Sequence, residues 1–221
     1  MKQPLALGLL LSATTFNAHA SLTSYTGAGG AGLVYSSVSN VTWTQDANLF
    51  KTLYDANHNL VNLITAVTPS YNDPSWGNQV IGDGGGIDDF DTATGRLSWW
   101  GAKAFVNYLN SINYAGSNQW ALPSAGANPQ SGYNQTSGPL GQLFYSELGG
   151  TAGGNIPNTT TFTGQAYAYW SGTEFAPYPR DAWLFFVTYN GYQANYSKDV
   201  QGYAWAVSPG QVAAVPVPGA V

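Results

Sequence analysis

The sequence predicts an α+β fold on two observations. Apolar residues at helical spacing gather before residue 150, and aromatic residues alternating with small ones follow Gln165. Glycine, asparagine and serine fill the intervals, so the helices should be few and short and the loops long.

After a glycine-rich lead from Gly27 to Gly32, Leu33-Val34-Tyr35 and Val41-Thr42-Trp43 are β-branched and aromatic runs separated by Ser and Asn, which predicts two strands joined by a turn. Asp46 is placed to cap a helix carrying Leu49, Phe50 and Leu53. Leu60, Leu63, Ile64 and Val67 fall on one helical face, which Pro69 ends. Residues 70–97 show almost no periodicity and read as one long surface loop. Ser98 then reads as an N-cap for a helix with Ala102, Phe105, Val106, Leu109 and Ile112 inward. Pro139 suits a first helical position, and Leu140, Leu143, Phe144 and Leu148 follow before Gly149-Gly150 stops the helix. From Tyr167 onward the period is two, through Asp181–Thr188, Tyr192–Tyr196 and Tyr203–Val207, with Asn190-Gly191 as a hairpin turn. These runs predict an antiparallel sheet in the C-terminal third.

Lys2, an apolar run from Leu5 to Leu11 and the small-x-small site Ala18-His19-Ala20 have the layout of a secretory signal, so residues 1–20 are read as cleaved and Ser21 as the mature start. The run is far short of the roughly 20 residues that cross a bilayer, so membrane insertion is not expected. The remaining length suits one domain, 21–210, followed by a Pro-rich tail, 211–221. Without Lys2, five basic side chains face eleven acidic ones, which disfavours nucleic acid and anionic lipid as partners. Cysteine is absent, so no disulfide holds the loops and thiol chemistry is excluded.

Four separated segments carry a family likeness: Val41-Thr42-Trp43-Thr44-Gln45-Asp46-Ala47-Asn48, Trp120-Ala121-Leu122-Pro123-Ser124, Tyr169-Trp170-Ser171-Gly172-Thr173 with Ala182-Trp183, and Tyr203-Ala204-Trp205-Ala206-Val207. In this order they resemble the Lcl C-terminal domain family, named after a bacterial collagen-like adhesin. The resemblance implies a C-type-lectin-like or sulfatase-modifying-like fold with a twisted antiparallel sheet, and glycan binding at the cell surface or in extracellular matrix. The family's motifs carry Arg where this chain has Ala121 and near Ser208, so any ion-pair network built on those arginines is not implied here. The tail from Val212 to Val221 is similar to the opening of a PEP-CTERM sorting signal, which implies surface retention in a Gram-negative-type bacterium; an extended Pro-rich linker is the alternative.

Three kinds of site are weighed. Asp83, Asp88, Asp89 and Asp91 lie in a glycine-rich loop that could offer oxygen ligands to Ca²⁺, although an EF-hand spacing is lacking and Asx-turns explain the same residues; no cofactor is otherwise required. His58 is the sole histidine after residue 20 and no nucleophile signature accompanies it, whereas Glu147 and Glu174, the only glutamates, leave a glycoside hydrolase as an alternative. The aromatics suit a sugar best, because a ring face accepts C–H groups and its polar tip a hydrogen bond. Trp43, Trp120, Trp170, Trp183 and Trp205 are assigned to the core, while Tyr178, Tyr189, Tyr192 and Tyr196, in or beside turns, are candidate ligand contacts together with Glu174. The expected function is an exported, non-enzymatic module that binds a glycan or exopolysaccharide, with a self-assembling surface protein as a rival.

Overall fold

The computed structural model describes residues 21–82, 88–156, 160–188 and 191–215. The secretory signal expected over 1–20 lies outside them. Strands β1 (Leu22–Thr26), β2 (Gly32–Ser36) and β3 (Val41–Thr44) form consecutive antiparallel pairs. β2 and β3 are the expected pair. β1 is an addition: its polar sequence, largely exposed on an edge, carries no alternation from which to read it.

Helix α1 (Leu49–Ala56) starts at Asn48, two residues later than the anticipated cap. Asp46 instead shapes the entry, its Oδ1 accepting the Asn48 N–H at 2.8 Å and its Oδ2 the Thr52 hydroxyl. In α2 (Leu60–Val67), Leu60 and Ile64 are buried while Val67 is exposed. Residues 70–97 are not one loop. Their described part forms two hairpins, β4 (Ser70–Asp73) with β5 (Gly77–Val80) and β6 (Phe90–Asp91) with β7 (Arg96–Leu97). Strands of only two to four residues cannot show a period, which is why the sequence hid them.

Helix α3 (Trp99–Ser111) opens as read, with Ser98 Oγ accepting the Gly101 N–H at 3.0 Å and Ala102, Phe105, Val106 and Leu109 buried, but Ile112, expected inward, is its C-cap and exposed. The Pro139 helix is α4 (Pro139–Gly141), which widens at once into a π-helical run, Gln142–Glu147. The π spacing shows in the Leu148 N–H bonded to Leu143 O at 2.9 Å.

A three-stranded antiparallel sheet, in the order β10-β9-β8, follows: β8 (Ala168–Glu174), β9 (Asp181–Phe186) and β10 (Tyr192–Ser197). Both of its faces are covered. Trp170, Leu184 and Phe186 join Phe50, Ile64, Phe105 and Leu109 in one apolar cluster, while Tyr169, Phe185 and Val187 join Val34, Trp43, Phe144 and Trp205 in another. The segment expected as this sheet's fourth strand goes elsewhere. Tyr203 bridges to Tyr169, Trp205 Nε1 donates to Thr44 O at 2.9 Å, and β11 (Val207–Pro209) pairs with β3. Residues 203–207 thus pass between the two sheets and are apolar because both sides are packed. The larger sheet has the order β1-β2-β3-β11, so the first and last strands share it. The tail's described part follows the same surface, with Val212 buried and its N–H donating to Thr42 Oγ1 at 3.0 Å. Among the described residues, no helix is long and apolar enough to cross a membrane.

Candidate functional site

Three strand ends converge on one charged centre. Lys198, just after β10, is fully buried and its Nζ lies 2.6 Å from Oδ2 of Asp73 at the end of β4 and 2.7 Å from Oε1 of Glu174 at the end of β8. Its ammonium also sits 4.5 Å from the centre of the Trp99 ring, whose other contact of this kind is Lys103 at 4.6 Å. Asp73 is 2% exposed at its side chain. Its Oδ1 accepts the Ser75 and Trp76 N–H groups at 2.9 and 3.2 Å, and Oδ2 accepts Trp100 Nε1–H at 3.0 Å. Burial alone would raise the Asp73 carboxyl, but the hydrogen bonds from Lys198, Ser75 and Trp100 outweigh it and hold its pKa below the ordinary value.

Beside this centre lie two clefts that meet at Thr173. The larger, of about 720 Å³, is walled by loop residues Gly126–Ser131 on one side and by Glu174, Phe175, Pro177 and Trp183 on the other. The smaller, of about 350 Å³, is lined by Lys103, Asn107, Trp120, Leu122 and Ser124. Backbone pairing fixes the boundary: Gly172 N–H donates to Pro123 O at 3.0 Å and Ala125 N–H to Thr173 Oγ1 at 3.0 Å. Phe175 stands edge-on to Trp183 at 5.2 Å, and the Glu174 side chain remains 42% exposed although Oε1 is held by Lys198. Burial lowers the Lys103 amine, with Glu174 opposing and Lys198 reinforcing. Burial likewise pushes Tyr71 up to about 12, against the hydrogen bond that Asn107 donates to its hydroxyl.

Of the residues singled out from sequence, Glu174 lies here; Tyr178 is exposed in the turn after Pro177, its N–H bonded to Phe175 O at 2.9 Å, and lines neither cleft. Tyr192 and Tyr196 do not join Glu174 either. Asn195 is paired with Trp183 and shares its face of the sheet, so the alternation of β10 turns Tyr192 and Tyr196 to the opposite face, against Tyr133 and Phe186. Tyr189 lies outside the described residues. The five motif tryptophans are all buried, as expected of core.

The acidic loop divides its carboxylates among local donors. Asp88 accepts the Phe90 N–H at 3.2 Å; Asp89 is buried and accepts the Gly82 N–H at 3.1 Å and the Ser98 hydroxyl; Asp91 accepts the Ala93 and Thr94 N–H groups and pairs with Arg96 at 3.0 Å. Asp83 lies outside the described residues. Among the described residues no three His, Asp or Glu gather as a metal site. Burial raises the Asp89 carboxyl, whereas the Thr94 hydroxyl leads the bonds that lower Asp91.

The two glutamates occupy separate networks. Glu147 accepts Ser36 Oγ–H at 2.8 Å and lines neither cleft at Thr173, and burial raises its pKa to about 7 against the bonds from Ser36 and the Val38 amide. His58 is exposed and stands edge-on to Tyr54 at 5.1 Å. Asp73, Lys198 and the Gly126–Ser131 wall escaped the sequence reading, since a lysine beside an aspartate at a strand end reads as solvated until the fold buries it.

Comparisons of the chain with family models, with curated proteins and with solved structures find no match.

Proposed function

We propose that this chain is an exported, non-enzymatic module of the cell surface or extracellular matrix, and that it binds a glycan in the cleft between Gly126–Ser131 and Glu174–Pro177. The observation that carries the reading is the lining of that cleft. It joins the Phe175 ring, the half-exposed Glu174 carboxylate, and the amides of Asn128 and Gln130. A sugar needs this combination, an apolar surface for its C–H face with acceptors and donors in fixed positions for its hydroxyls. The proposed site moves from the four turn tyrosines to this wall, which Tyr178 does not line. A C-type-lectin-like fold is supported by the antiparallel sheets, the few short helices and the shared sheet of first and last strands. Ca²⁺ has no assigned part in the reading. A glycan array probed with the purified chain, with and without added calcium, tests it: retention of at least one polysaccharide class is expected in both conditions, and an array without any signal in either overturns the proposal.

A further inference from the structure

The charged centre has a geometry that goes beyond an ion pair. We propose that Lys198 and Asp73 join through an intramolecular amide bond, formed by condensation of the lysine amine with the aspartate carboxyl and assisted by Glu174.

Four observations carry it. First, the reacting groups are already in place: the lysine nitrogen lies 2.6 Å from Oδ2 of the carboxyl it would attack, and holding two reacting groups together in this way is what speeds intramolecular reactions. Second, neither partner can drift. The Lys198 N–H donates to Arg180 O at 3.2 Å, its carbonyl accepts the Trp99 N–H at 2.9 Å, and Asp73 is fixed by the Ser75 and Trp76 amides. Third, the lysine has no exposed surface and lies against Trp99, while Asp73 receives Trp100 Nε1–H. Exclusion of bulk water from the lysine keeps hydrolysis from competing with condensation at the pair. Fourth, the two oxygens of Asp73 have different surroundings. Oδ1 faces two backbone N–H donors, the arrangement that stabilises an oxyanion as the carbonyl carbon is attacked. Oδ2 faces Lys198 and, through it, Glu174, where a proton can be delivered to a leaving hydroxyl.

The step balances without an oxidant or a cofactor. A proton passes from the ammonium to the carboxyl pair, and the free amine attacks Cγ, forming the C–N bond while negative charge collects on Oδ1. Glu174 takes a proton from the nitrogen and returns it to Oδ2, the C–O bond breaks, and one water leaves. Glu174, 42% exposed, opens the route by which that water reaches solvent. An ammonium and a carboxylate become one amide plus water. The link would close a loop between positions 125 apart in a chain that has no cysteine, tying the β4 hairpin to the end of β10.

Mass spectrometry of the purified, folded chain tests the proposal. The expected mass is lower by one water, about 18 Da, with a branched tryptic peptide joining the Asp73 segment to the Lys198 segment and no cleavage after Lys198. Lys198→Arg should restore the full mass. Glu174→Ala leaves both reacting residues in place, and at least a tenfold slower linkage is expected. An unmodified mass in wild-type protein with native circular dichroism overturns the proposal, as does a water loss mapped to a succinimide at Asp83-Gly84. Rapid linkage in Glu174→Ala overturns the role given to that residue.

Discussion

Replacing Glu147 by Gln should change how stability depends on pH, and the structure sets both the sign and the size. Glu147 accepts the Ser36 hydroxyl through Oε2, while Oε1 is buried without a hydrogen-bond partner. Burial is the main reason its pKa stands at about 7 and not at the ordinary 4.5. An acid whose folded pKa is raised binds its proton more tightly in the native state. Its contribution is therefore fully present below about pH 4.5 and is lost as pH rises through about 7. The full shift would amount to about 3 kcal/mol, and the residue's partial solvent access reduces the expected effect to about 1–2 kcal/mol. Glutamine keeps an acceptor for Ser36 and cannot ionise, so its stability relative to wild type should improve by that amount between pH 4.5 and pH 8. Urea unfolding of both proteins at the two pH values measures the change, and other titrating groups cancel in the difference. Parallel pH profiles for wild type and variant would refute the argument.

Two further perturbations probe the packing around the site. Asp73→Ala leaves the buried Lys198 with Glu174 alone and unable to form the amide, so the loss is at least the cost of removing one partner from a buried pair, about 3–5 kcal/mol, which a fall in urea midpoint would show. Gly101→Ala would set a Cβ 2.3 Å from the Asp89 carbonyl oxygen, so α3 must shift or the β6 hairpin must open, at about 1–3 kcal/mol; thermal unfolding checks this, and an unchanged midpoint would contradict the close approach.

Local signals in the sequence reported local structure well. Ser98 caps α3, Pro139 opens α4, and the alternation of Tyr169 with Trp170 marks a strand buried on both faces, because each signal depends on residues a few positions apart. The misreadings share one physical cause, that the deciding partner is distant in sequence. β1 is recognised by its pairing with β2, and the hairpins of 70–97 by what packs over them. Residues 203–207 look like a further strand of the nearer sheet until β11 is seen beside β3. The same holds for the site. Glu174 is visible as one of two glutamates, whereas Asp73 falls within the polar run 70–97 and nothing near Lys198 in the sequence singles it out. Their value comes from meeting across 125 positions.

The central claim is the location of ligand binding, and a paired substitution tests it most directly. Phe175→Ala removes the aromatic wall of the cleft, and Tyr196→Ala removes an exposed ring on the opposite face of β10. Titrated against a polysaccharide retained by the wild-type chain, Phe175→Ala should weaken binding at least tenfold, about 1.4 kcal/mol, while Tyr196→Ala leaves it unchanged. Loss of binding in Tyr196→Ala with full affinity in Phe175→Ala would contradict the account and return the site to the tyrosine face.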